Sequence, residues 1–132
     1  MTNELATINN DNVTTGFIST IDTSTKMGKI SLVNALNAST SLADLGDAKI
    51  TVKDIVLNRG ARSQTGEECI NTHLILADGS CVMSQSDGIA RSALAIIDAW
   101  NGDFGNGIVV QIKSTKLSNG RTLKTIEVLD EI

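Results

Sequence analysis

Arg59 and Arg62 stand close together in the stretch NRGARSQTG, and Lys113, Lys116, Arg121 and Lys124 crowd a later one, with no acidic residue between Phe104 and Ile126. Guanidinium and ammonium groups gathered this way suit one chemistry above others: they pair with phosphate oxygens and need not read a base sequence to do so. Together with Lys53 these residues make up seven of the eleven basic residues, in a chain whose formal net charge is −4 and whose pI is near 4.8. Such a balance excludes a protein that coats duplex DNA through bulk positive charge and leaves a local basic patch as the feature to explain. An ordinary solvated hairpin is the other reading of the lysine-bearing stretch.

Residues able to do covalent or acid–base chemistry are scarce. His73 is the only histidine, so no histidine metal site or His relay can be assembled. On a strand it reads as a structural residue or a surface contact rather than a catalyst. Cys69 and Cys81 are too far apart in sequence for a redox or zinc pair and read as reduced thiols. Ser84-Gln85-Ser86-Asp87-Gly88 lacks the spacing of a nucleophile turn and fits a helix cap. Glu67 and Glu68, adjacent on a strand, point to opposite faces and cannot share a site. The glycines at 102, 105 and 107 do not open a helix after a strand, so they form a loop rather than a phosphate cradle. No enzyme, cofactor or metal is expected. Stacking groups are few as well: Trp100 lies on an apolar helical stripe and is assigned to the core, Phe104 in its glycine-rich loop is the ring expected to be exposed, and Phe17 is left open.

Several short elements must carry these residues. Met1 to Thr15 is Asn- and Thr-rich without apolar periodicity and reads as a flexible arm. Residues 16–46 form a helical preface, with a helix near Ser31 to Asn37 and a terminating glycine at Gly46. From 47 to 132 the texture is that of strands. Ala48 to Leu57 alternates and then breaks period, which implies a bulge, and 58–66 is a loop by composition. A second strand puts Ile70, Thr72, Leu74 and Leu76 on one face and His73 on the other. Asp78-Gly79 turns it into a third strand. A helix capped at Ser86 carries Ile89, Ala93, Ile96, Ile97 and Trp100 along one stripe. Strands from Ile108 to Lys113 and from Leu123 to Leu129 follow, joined at Ser118-Asn119-Gly120. Three strands, a helix and a two-stranded hairpin is the order of the OB-fold, a mainly β, five-stranded Greek-key barrel that binds oligonucleotides on the face of strands two and three, flanked by the loops between strands one and two and between strands four and five; other α+β sheets accept the same order.

Three segments, NALNASTSL at 34–42, SQSDGIAR at 84–91 and SNGRTLK at 118–124, give the region from about Ser31 to Leu129 a character that resembles the single-stranded DNA-binding proteins of phages and bacterial mobile elements. The resemblance implies an OB-fold that coats displaced strands in replication or recombination without sequence preference. It also places Arg59 and Arg62 in the first binding loop and Lys116, Arg121 and Lys124 on the other hairpin. This chain departs from that pattern in its few aromatics and in having only Asp130, Glu131 and Ile132 beyond the fifth strand, where a long acidic tail often recruits partners.

The expected partner is therefore single-stranded DNA, contacted by Lys53, Arg59, Arg62, His73, Phe104, Lys113, Lys116, Arg121 and Lys124, with replication or recombination proteins as further partners. A protein-interaction module, such as a phage-encoded inhibitor of a host complex, is the alternative suggested by the acidic pI. No stretch approaches the length of a membrane span and no secretory signal is evident, so the chain reads as a cytoplasmic protein of the host cell. A homo-oligomer is left open.

Overall fold

The computed structural model describes residues 17–38, 40–62 and 64–132; the arm expected over Met1 to Thr15 lies outside them. Among the described residues six strands and two helices follow one another as β1 (Phe17–Ser19), α1 (Lys26–Leu36), β2 (Ile50–Ala61), β3 (Glu68–Leu76), β4 (Cys81–Ser84), α2 (Asp87–Ala99), β5 (Ile108–Lys116) and β6 (Thr122–Glu131), with a 3-10 turn at Leu42–Leu45. All strand pairs are antiparallel, along the path β4-β3-β2-β5-β6, and β1 adds to β2 beside β5.

The local signals act where they stand. Asp78 accepts from the backbone N–H of Ser80 at 2.9 Å and turns β3 into β4. At the end of β5, Leu117 N donates to Arg121 O at 2.7 Å while Gly120 adopts a φ of 84°, a left-handed conformation that glycine takes without penalty. The bulge in β2 falls between Val52 and Asp54 and leaves Lys53 as the extra residue. Beyond it β2 runs through Ala61, so the expected loop over 58–66 begins later, after four more rungs pairing Asn58 with Asn71, Arg59 with Ile70, Gly60 with Cys69 and Ala61 with Glu68.

Two elements depart from the sequence reading. β1 is a three-residue strand paired to Asn58, Leu57 and Val56, too short to leave an alternation of its own. α1 begins at Lys26 rather than near Ser31, because the Thr25 hydroxyl accepts from Gly28 N at 3.0 Å and caps an additional turn.

Register assigns the faces. Ile55, Leu74 and Val82 share one rung on the core side, where α2 lays Ile89, Ala90, Ala93, Ile96 and Ile97 against them and against Ile108, Val110 and Ile126. Each isoleucine removed from water here contributes about 1.5–3 kcal/mol before entropy is counted. Val56, His73 and Met83 lie on the next rung and face the other way, toward α1, which packs across β2, β3 and β4 and brings the Ala35 carbonyl to the Cys81 thiol at 3.9 Å.

The sheet is not closed into the barrel expected from the strand order. No ladder joins β4 to β6. The physical reason is α2, which occupies that position: the Ser92 hydroxyl accepts from Ile126 N at 3.1 Å, taking an edge donor that a closing strand would use. The first turn of α2 also presses so close to β6 that a Cβ at Gly88 would overlap the Lys124 carbonyl oxygen.

Candidate nucleic-acid interface

Two hairpin connections frame the open side of the sheet. Between β2 and β3, Arg62 N donates to Glu67 O at 2.9 Å and Gly66 N to Arg62 O at 2.8 Å, which fixes the position from which the Arg62 side chain departs. Between β5 and β6, Asn119 accepts from Arg121 N at 2.9 Å and fixes Arg121 in the same way. The N-terminus of α2 lies between the two, capped by Ser86, whose hydroxyl accepts from Ile89 N at 3.4 Å.

These parts enclose a groove of about 1170 Å³. Arg62, Lys113, Arg121 and Lys124 line it, with Asp47 and Asp87 as the carboxylates. Ser84, Gln85 and Ser86 give it a polar floor, and Met83, Ile112, Leu117 and Leu123 give it aliphatic walls. No aromatic ring is among the described residues that line it. Arg62 approaches Asp87 at 3.5 Å. Both side chains are substantially exposed, so solvent screens the pair and holding it together stabilises the fold by little. Cations thus outnumber carboxylates in the groove of a chain whose net charge has the opposite sign. Backbone phosphates are the ligand that such a surface attracts.

Of the nine residues singled out from sequence, these four meet in one place. Lys116 is exposed on the last rung of β5, paired with Thr122 across the hairpin, and does not line the groove. Arg59 pairs with Glu68 on the neighbouring strand. Lys53, on its bulge, reaches the Gly105 carbonyl at 3.5 Å. The remaining two are interior. His73 is 2% exposed under α1, with Nε2 at 2.7 Å from the Asn58 amide oxygen and Nδ1 without a partner, and burial pushes its pKa below the usual 6.5. Phe104 is 3% exposed and packs edge-on against Trp100, with ring centroids 6.4 Å apart. The ring expected at the surface is therefore a core group, while Trp100 keeps partial exposure and donates its indole N–H to Glu131.

Sequence reasoning missed the floor. Ser84, Gln85 and Gly88 read only as the approach to a helix, yet Gln85 donates to Asn71 Oδ1 at 3.0 Å and to Ala61 O at 3.3 Å, tying the groove to the end of β2. The signal was the SQSDG cap itself, since a helix N-terminus presents unpaired backbone donors to an anion.

Among the described residues no group of three or more His, Cys, Asp or Glu is placed to hold a metal ion, and no helix is long and apolar enough to cross a membrane. No curated protein and no solved structure matches the chain. A family model described as phage single-stranded DNA-binding protein matches residues 11–128. That match takes in the whole groove and all but the end of β6, and the chain belongs to the Phi29-type family of phage single-stranded DNA-binding proteins.

Proposed function

We propose that this chain binds single-stranded DNA without sequence preference, in the groove between the β2–β3 and β5–β6 hairpins, and that it covers displaced strands during phage DNA replication or recombination. Family membership supports the ligand class. The observation that carries the location is the convergence of Arg62, Lys113, Arg121 and Lys124 from separate elements onto one groove.

In this reading the sheet is an OB-type fold opened between β4 and β6, and the strand lies in the groove beside the N-terminus of α2. Phosphates pair with the four cations while the bases turn toward the walls formed by Met83, Ile112, Leu117 and Leu123. With no ring on those walls, the arginine planes are the stacking surfaces left, and phosphate contacts dominate affinity. Selectivity for a single strand follows from the groove's aliphatic walls, because a duplex keeps its base faces stacked internally.

Fluorescence titration of an oligo-dT strand tests the reading. Binding is expected at about 50 mM salt and is expected to weaken steeply as salt rises. Absence of binding at the lower salt refutes it. Nuclease treatment before a pull-down from host lysate separates it from a protein-interaction role, because a DNA-dependent association is lost and a direct one is kept.

A further inference from the structure

We propose that copies of this chain associate head to tail, the outer face of α1 on one copy receiving the end of β6 from the next. Exposed large apolar side chains cluster at two places outside the groove. On α1, Met27 is 69% exposed, Ile30 44% and Val33 56%, three residues apart along one side of the helix. At the end of β6, Leu129 and Ile132 are exposed, Leu129 standing where the β5–β6 register slips by one residue.

The charges beside the two patches are opposite. α1 carries Lys26 and Lys29 and no acidic residue, and neither lysine has an ion pair among the described residues. Both lie in the first turn, at the positive end of the helix dipole, where a cation is disfavoured and an arriving carboxylate relieves the repulsion. The end of β6 carries exposed Glu127 and Asp130, and no basic residue follows Lys124. Two α1 faces would set lysines against lysines, which disfavours a symmetric pairing. An α1 face and a β6 end complement each other in both charge and apolar character.

The two patches belong to different layers. α1 packs on β2, β3 and β4, whereas β6 packs on β5 and α2. A contact between unlike surfaces is heterologous, so each added copy presents a fresh patch and the assembly grows past a dimer, as an open chain or a closed ring. None of the four charged residues lines the groove. The contact therefore needs no nucleic acid, although a strand that holds neighbours side by side would raise their effective concentration.

Sedimentation velocity on the free full-length chain, without DNA, tests the proposal independently of the DNA-binding reading. The average mass of the wild type is expected to rise with concentration. Lys26→Glu/Lys29→Glu and Glu127→Lys/Asp130→Lys are each expected to weaken that rise on the order of tenfold or more. Mixing the two variants is expected to restore it, because each supplies the patch that the other has inverted. Ile30→Asp, which leaves the lysines in place, is expected to abolish it. A wild type that stays monomeric to about 1 mM overturns the proposal. Association that survives both charge reversals, or that mixing fails to restore, also overturns it.

Discussion

Replacing Arg121 and Lys124 together with alanine removes two of the four cations that line the groove and leaves Arg62 and Lys113. Each phosphate contact on a single strand contributes about 0.7 to the slope of log affinity against log salt, so four contacts give a slope of roughly −2.8 and two give roughly −1.4. Between about 50 and 200 mM salt, binding by the wild type then weakens roughly fiftyfold and binding by the double variant roughly sevenfold. Arg62 works against its neighbour Asp87 at 3.5 Å. Asp87→Asn is accordingly expected to tighten binding at low salt without lowering the slope. Anisotropy titrations of a labelled oligo-dT strand over a salt series measure every one of these values. Lys49→Ala/Arg91→Ala, whose exposed side chains lie outside both the groove and the proposed contact between copies, serves as the control. A slope unchanged in Arg121→Ala/Lys124→Ala, or lowered equally in the control, refutes the assignment of the strand to this groove.

Gly88→Ala places a methyl group against the Lys124 carbonyl oxygen. It is expected to cost about 1–3 kcal/mol in denaturant unfolding as α2 shifts away from β6. Phe104→Ala is expected to cost about 3–5 kcal/mol of stability while leaving oligo-dT affinity near that of the wild type, the reverse of what a stacking ring would give. The pH dependence of stability follows from His73, whose pKa burial holds below 6.5. The unfolded chain takes up the proton first as pH falls, so the contribution of the neutral ring is complete above about 6.5 and is lost below it, toward the folded value. His73→Gln is expected to flatten the loss between about pH 6.5 and 5 in unfolding midpoints. Asp54, raised by burial although the Thr20 hydroxyl donates to it at 2.8 Å, gains stability on acidification and has the opposite trend nearer its usual 3.8. The comparison with His73→Gln is therefore the diagnostic one.

What the sequence disclosed was what neighbouring residues decide. Asp78-Gly79, Asn119-Gly120 and Ser86 each act within a few positions, and each turn or cap stands where its residues occur. The grouping of basic residues around two connections was legible because hairpins put them there. Burial from a second layer was not. His73 alternates onto the face away from the main core, and a strand with one solvated face would expose it. α1 covers that face, and its apolar residues, spread around the helix rather than confined to one stripe, gave no warning of which side it buries. Phe104 among glycines has the composition of a surface loop, and its packing into the main core beside Trp100 makes it interior. Closure of the barrel depended on whether α2 or a strand would occupy the edge of β6, a competition that no local pattern records.

The path of the sheet also bears on how the molecule moves. β2–β3–β4 is one meander and β5–β6 is one hairpin, each built from contacts close in sequence. Only the rungs Ile50 to Val110, Thr51 to Val109 and Val52 to Ile108 join the two by backbone pairing, just ahead of the bulge at Lys53. A seam that narrow, next to an irregularity in its own strand, is where rotation of one half against the other breaks the fewest hydrogen bonds. The groove lies between those halves, so a turn at that seam would widen or narrow it, with α2, packed on both β3 and β6, as the element that resists the turn.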